Sequence, residues 1–572
     1  MSDERLIEVL EEALAARVIE ESPRAAGHYQ FTHALINQTL LDELSTTRRV
    51  QMHARIADVM EELYVDELEV HAMVLAYHYG EAEMVLGQKK LIRYSMMAGE
   101  RALETFAYEE AVDQFQRALS TRGDRPVDAD IAAIMFGLGR ASIPMLAWDA
   151  ALENLHQAFD YYETNDVPKA VAIAEYPYPA LFASRMPDLI SSALGLVESD
   201  PQRTGHLLST YGMALALGKG EYERAQKAFD DALAIAQQEN DRALEVRTLA
   251  NAANIDGFNL QWQDAFAKGK QAVQLAQPGD HPVHQMRARL WAALAAALFI
   301  GDPIEAKEHA EAVLLLAEST RDRWWLARAM EPNALVARIS GDWEATRKFT
   351  DRGLSIAPQD TGLLVNRILL EYETGDFQSA SEFQELLLGD TLDAPAALTG
   401  VHALLIAVVG LITGDTGKFD DAVYVAKAVL STPSLAPVAE LEARLALALM
   451  ATQRNDGSVV QEQYAALASS GGGMTPIIGI DRALGLMATS INDLENAESH
   501  FENALAFCKK SGYRPELAWT YCNYAEALLT HNSARDHERA MKFLDDALAL
   551  STELGMTPVV ERILSRRDIL NA

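Results

Sequence analysis

One pattern returns ten times along the 572 residues, and it leaves few folds open. An aromatic residue is followed after two residues by a small one, three further residues lead to a bulky apolar side chain, and after two more comes alanine or another small residue. "FAYEEAVDQFQRAL" (106–119), "GEYERAQKAFDDAL" (220–233) and "NDLENAESHFENAL" (492–505) show all or most of it. The small positions are Ala111, Ala151, Ala225, Ala265, Ala306, Thr346, Ala380, Ala422, Ala497 and Ala540. The aromatic three residues earlier is Tyr108, Trp148, Tyr222, Trp262, Trp343, Phe377 or Phe419, and the bulky residue four later is Phe115, Leu155, Phe229, Phe501 or Leu544. Positions i, i+4 and i+7 share one helical face, and alanine there lets a second helix approach closely. Another apolar helix precedes each segment, as in "LLSTYGMALALG" before Gly220, so each unit is a helix–turn–helix hairpin.

These hairpins resemble the tetratricopeptide repeat, and Leu138-Gly139 and Leu484-Gly485 match its first-helix pattern. The family's unit is about 34 residues, whereas the anchors here mostly step by about 40. The reading is an all-α, tetratricopeptide-like α-solenoid, a right-handed superhelix of about a dozen helix pairs over residues 67–572. The gaps 151 to 225 and 422 to 497 are nearly double, and degenerate units at 185–197 and 458–470 are expected to fill them. Pro-rich "EYPYPALFASRMP" and Gly-rich "SSGGGMTP" are the strongest breaks, near 176–187 and 469–476, and each reads as a hinge or a long inter-repeat loop.

The net charge of −34 opposes unspecific nucleic-acid binding, which draws on a surplus of Lys and Arg, so no nucleic acid is expected on this chain. Two cysteines, Cys508 and Cys522, supply no disulfide framework and fit a reducing, cytoplasmic setting. The acidic amphipathic N-terminus has no signal-peptide pattern. The longest apolar runs, "LWAALAAALFI" and "VHALLIAVVGLI", are too short to span a bilayer and read as buried helices, so no membrane partner is expected.

Residues 1–66 read differently. An amphipathic helix is followed by two β-prone pieces, Val18–Glu20 and Tyr29–Thr32, around a Pro/Gly turn, and then by further helices, one with Ser45 as N-cap. Helix, β-hairpin, helix is the order of the back half of a winged helix. "ALAARVIEE" and "HYQFTHALINQTLLDELSTTRRVQMHARIADVMEEL", with "LIRYSMMAGERALETFAYEEAVDQFQRAL" beyond, resemble the stretch joining winged helix to repeat arm in bacterial STAND-type ATPase regulators. That family includes maltose-regulon, LuxR-type and cyclase-linked regulators. The resemblance is specific over residues 4–119 and generic beyond. It implies a partial winged helix with its small β-hairpin, and an arm that senses an inducer or partner for an ATPase module. Phe31-Thr32-His33 matches the family's Phe-x-His motif, which makes His33 a weak nucleotide-sensing candidate. Asn37 stands where the family often has Arg, and the residue itself reads equally as a helix-start side chain.

No catalytic constellation is legible. "ITGDTGKF" (412–419) carries Ile412 and Phe419 where a phosphate loop needs Gly and Ser or Thr, so it reads as an inter-helix turn. His281 and His284 lack companion carboxylates or cysteines and read as a solvated loop, and His71 and His78 read as packing or surface residues, so no metal and no cofactor is expected. Asn251, Asn333 and Asn366 recur inside first helices, where Asn is a poor choice. They either hydrogen-bond a partner on the concave surface or tie repeats together. Trp324 and Trp325, adjacent on a helix, are the other partner-binding candidates: either one ring is exposed as an anchor, or both pack.

The resulting expectation is a non-enzymatic helical-repeat scaffold, the ligand- or protein-sensing arm of a STAND-type signalling or transcription regulator. Its partner would be a protein, peptide or small inducer in the superhelical groove, and oligomerisation would run through the repeats or an upstream ATPase module. The alternatives are part of an ATP-binding LuxR-type regulator or nucleotide cyclase whose catalytic domain lies outside this chain, and a free-standing protein adaptor. The chain is accordingly predicted neither to bind nor to hydrolyse ATP. Calorimetry should show no micromolar affinity, and a signal abolished by Lys418→Ala would refute the reading.

Overall fold

The computed structural model describes residues 3–21, 27–123, 125–197, 199–389, 396–433, 435–530 and 534–571. Among these the chain forms 31 α-helices and one two-stranded sheet, and it packs as two compact units, residues 1–141 and 142–572. The boundary expected at 66/67 lies inside the first unit, between the helices Thr46–Leu63 and Leu68–Glu81, which pack on each other.

The first unit opens with the helix Asp3–Ala15 and the antiparallel strands Ile19–Glu21 and Tyr29–Phe31, with Ile19 opposite Phe31. Thr32 Oγ1 donates to the Arg17 carbonyl at 2.7 Å and closes the open end of the hairpin. The Pro/Gly turn read between the strands falls largely on residues 22–26, outside the described residues. Ser45 caps the next long helix by accepting the Arg48 N–H.

The repeat grammar then becomes visible as geometry. Tyr108, Trp148, Tyr222, Trp262, Trp343, Phe377 and Phe419 are each the first residue of a helix. Where the segment begins Gly-Asp, glycine ends one helix in the left-handed region (φ +87° at Gly341, +92° at Gly375), and aspartate caps the next through Ala345 N–H or Ser379 N–H. Phe106, Leu146 and Leu260 take the same conformation without glycine, at a cost of roughly 1–2 kcal/mol each.

The anchors Ala111, Ala151, Ala225, Ala265, Ala306, Ala380, Ala422, Ala497 and Ala540 are all buried, none more than 2% exposed. The bulky residue four positions later fills a hollow in the preceding helix where a side chain is missing. A methyl group on Gly99 would come within 2.7 Å of the Phe115 ring, one on Gly212 within 2.5 Å of Phe229, and one on Gly485 within 2.9 Å of Phe501. Phe115 presses on Gly137 of the following helix as well, so one ring joins consecutive hairpins. The degenerate units at 185–197 and 458–470 hold the helices Pro187–Gly195 and Gly457–Leu467.

Within the second unit, stretches far apart in sequence lie against one another. The helix Pro282–Ala295 runs into a π-helical turn, Ala296–Ile300, whose carbonyls are taken up by distant donors. Tyr513 Oη donates to Ala297, Met474 N–H to Leu298 at 2.7 Å and Lys510 Nζ to Ile300 at 2.9 Å. Trp343 Nε1 donates to Leu554 O at 2.7 Å, and Arg562 to Leu411 O at 3.0 Å. Among the described residues no helix is long and apolar enough to cross a membrane. Both long apolar runs are buried between neighbouring helices.

Two outcomes test this packing. Gly212→Ala should cost about 1–3 kcal/mol in urea unfolding through overpacking against Phe229. Tyr513→Phe should lower amide-exchange protection at 296–301 and at 508–514 together, although the bonded residues are 216 positions apart.

Candidate functional site

The helices of the second unit surround a cavity of ≈ 200 Å³, bordered by residues from Ala180 to Pro476. Its walls are mostly apolar and aromatic. Trp262 stacks on Phe299 at 4.2 Å between ring centroids, Trp291 lies 5.0 Å from Phe258, and Trp324 meets Trp325 edge-on at 4.7 Å. Both sequence breaks reach it: Ala180 and Leu181 from the Pro-rich stretch, and Met474, Thr475 and Pro476 from the Gly-rich one. The first folds into a four-residue helix behind the buried Tyr178, and the second carries the bridge between Met474 and Gly479. The π-helical turn supplies Leu298 and Phe299.

A few polar groups interrupt this lining. Arg287 is buried and donates to the Asn251 side chain and, at 2.6 Å, to the Tyr178 carbonyl. Burial, with Arg247 nearby, pulls its pKa down to about 9. Arg328 pairs with Glu331 at 2.6 Å, and Gly362 leaves room for that carboxylate, since a methyl there would collide with Glu331 Oε1. Asn254 borders the cavity with its Oδ1 buried and unbonded. Glu442, from the helix Pro437–Gln453, is 6% exposed, and no hydrogen bond or ion pair reaches its carboxyl from the described residues. Burial alone pushes its pKa up to about 8. By contrast, in a second hollow beside the helix Thr557–Asn571, Glu526 is already held by Arg562 and Arg566.

The residues singled out in sequence fall as follows. Trp324 and Trp325 both border the cavity, with Trp325 buried and Trp324 also 6.3 Å from Trp148. Successive helical residues are about 100° apart, but both rings belong to a helix's first turn, which the cavity wraps. Asn366 borders it too, accepting from Arg338 Nε at 2.9 Å and donating to Gly362 O. Asn251 and Asn333 are buried, with amides bonded to Ser209 and to Ala310 and Ala329. His33 is an exposed helix-start residue whose side chain makes no capping bond.

His284 departs from the expected solvated loop. Pro282 begins a helix, so His284 is carried into the interior, where burial and the two arginines hold its pKa well below the usual value. His78 Nδ1 lies 2.8 Å from His53 Nδ1, and no group of three metal-ligating side chains is assembled among the described residues. Gly414, at φ +77°, ends a helix, and Lys418 bonds Glu385, so this stretch is an inter-helix turn. Cys508 and Cys522 are buried, and burial raises both thiols, Cys522 to about 12.

Glu442, Arg287 and Arg328 went unnoticed in sequence. The one available signal for Glu442 was a lone acid, with no basic partner on its face, inside the apolar run "LEARLALALM".

No protein-family model matches the sequence, and no curated protein matches it. Among solved structures the chain is similar to one in the crystal structure of the APC/C hetero-tetramer Cut9–Hcn1. The TM-score is 0.51 at 12% identity, over 93% of this chain and 94% of that one. At this identity the likeness is one of fold. The class is thereby defined: an all-α, tetratricopeptide-like solenoid of helical hairpins, with one small β-hairpin near its start.

Glu442 gives the fold a testable pH dependence. Unfolded, its carboxyl ionises near 4.5, whereas folded it keeps its proton to about pH 8. The folded state therefore binds more protons between those values, and this contribution to stability is lost as pH rises through them. Glu373, pushed up to about 7 by burial, acts in the same direction. His281 and His402, both lowered to about 4, act oppositely but level off above pH 6.5. Glu442→Gln should accordingly stabilise the chain on the order of 2 kcal/mol at pH 8.5 and little at pH 5, read by urea unfolding.

Proposed function

We propose that this chain is a non-enzymatic helical-repeat sensing arm that binds a small ligand in the aromatic-lined cavity of its second unit and passes occupancy on to a partner protein. One observation carries the reading: the cavity wall is built from the segments that tie distant repeats together. Leu298, bonded to Met474, borders it, and so do Pro476, which accepts from Arg338, and Arg287, which donates to Tyr178. A ligand touching these residues has differential contacts with any rearrangement of the array, which is what a population shift requires. An apolar cavity with a few convergent polar groups is also the usual form of a small-molecule site.

The resemblance of residues 4–119 to STAND-type regulators supports a setting in signalling or transcription, with residues 1–66 as the winged-helix remnant and the ATPase or cyclase chemistry in another module. Two free thiols support a cytoplasmic setting. A second reading, a protein adaptor, is favoured by the exposed apolar side chains of the first unit, among them Leu35, Leu63 and Met84 at 76%, 68% and 90% exposure.

The neutral dye N-phenyl-1-naphthylamine tests the cavity. The full chain should bind it with enhanced fluorescence and a raised unfolding temperature. Val438→Phe, which adds a ring at the cavity wall, should abolish binding while circular dichroism stays unchanged. Absence of dye binding to the wild type, or equal binding to Val438→Phe, overturns the assignment.

A further inference from the structure

The polar groups bordering the cavity differ in what they still lack. Arg287 gives hydrogen bonds to Asn251 and Tyr178, Arg328 is paired with Glu331, and Asn366 both accepts and donates. Three groups are left over: two acceptors, the Asn254 Oδ1 and the Glu442 carboxyl, the latter more than nine-tenths buried and without a partner among the described residues, and one donor, the Trp262 Nε1–H. Glu442 Oε2 lies beside the helix Ala396–Thr413 where Gly400 has no side chain, since a methyl there would come within 3.4 Å of it. A buried carboxyl without a counter-charge is costly, and a packed core tolerates one only where something compensates. The remaining wall is rich in tryptophan and phenylalanine, whose ring faces attract cations. A chain of net charge −34 also draws cations in preference to anions. For size, an engineered apolar cavity of about 150 Å³ accepts benzene, and this one is ≈ 200 Å³.

We propose that the cavity takes a ring-bearing apolar molecule carrying a protonated amine, with the ammonium on Glu442 and the apolar body against the aromatic wall. The assignment rests on the reading that the cavity binds a small ligand, and it adds the ligand's chemical class. Asn254 Oδ1 offers a second acceptor to an N–H or O–H on the same molecule. Burial keeps the carboxyl protonated at neutral pH, and the arriving ammonium ionises it, so binding releases a proton to the buffer.

Three probes that share an indole ring separate the possibilities on the full chain by calorimetry: tryptamine, 3-ethylindole and indole-3-acetate. Tryptamine should bind at least tenfold more tightly than 3-ethylindole, with indole-3-acetate the weakest. In buffers of different ionisation enthalpy, tryptamine binding at pH 7 should show proton release. Glu442→Gln should bring tryptamine to the level of 3-ethylindole, leave 3-ethylindole unchanged and remove the proton release. The variant loses a buried acid and is expected to fold, which circular dichroism checks. A preference for indole-3-acetate, a tryptamine preference that survives Glu442→Gln, or no binding of tryptamine overturns the proposal. If tryptamine and 3-ethylindole bind the wild type equally, the amine assignment falls and the cavity reading stands. If the naphthylamine dye also fails to bind, both fall together.

Discussion

The packing of this chain depends on a bulky ring set into the space of a missing side chain. Phe115 against Gly99 and Gly137, Phe229 against Gly212 and Phe501 against Gly485 are instances of one contact, repeated along the array. Each brings two helix backbones close enough for the buried alanines to meet their neighbours, and each sets where the next hairpin begins. A core of small residues and wedged rings has little slack, because interiors pack at crystal-like density. Placement errors of one hairpin are therefore passed to the next.

That regularity is interrupted where it serves the interior. The π-helical turn Ala296–Ile300 leaves carbonyls outside the helix's own ladder, and Tyr513, Met474 and Lys510 take them up. Tyr178 and Pro476, from the two irregular segments, offer carbonyls to the buried Arg287 and Arg338. Buried backbone groups must be paired, so these crossings are obligatory once the regular bonds are given up. The same departures from helical grammar border the cavity, which makes its contents a natural handle on the surrounding array.

Glu442 sets the stability of the fold against the binding proposed for the cavity. Burial alone holds its carboxyl neutral, and at alkaline pH it weakens the fold. A structural role would be filled better by glutamine or leucine. Its presence in an aromatic wall where Asn254 Oδ1 and Trp262 Nε1 are unbonded as well is the physical argument for a polar ligand with a complementary charge.

Much of the fold was legible in the residues. The aromatic at each helix start, the Gly-Asp turns and the alanine anchors are local in sequence, and helical periodicity alone places them on one face. The β-hairpin likewise follows from short-range propensity and turn residues. The cavity did not follow. Glu442, Arg287 and Asn254 lie on different helices, and whether a polar residue inside an apolar helix meets solvent, another repeat or a cavity depends on how successive hairpins rotate. The breaks at 176–187 and 469–476 were visible as irregular stretches, but their role as cavity wall arises from hydrogen bonds to residues more than a hundred positions away. By itself the sequence determined the hairpins and the order in which they stack, because those rest on contacts within one repeat and its neighbour. Only the tertiary structure decided that the second unit holds a cavity with an unpaired carboxyl at its wall, because that depends on the accumulated rotation of many repeats.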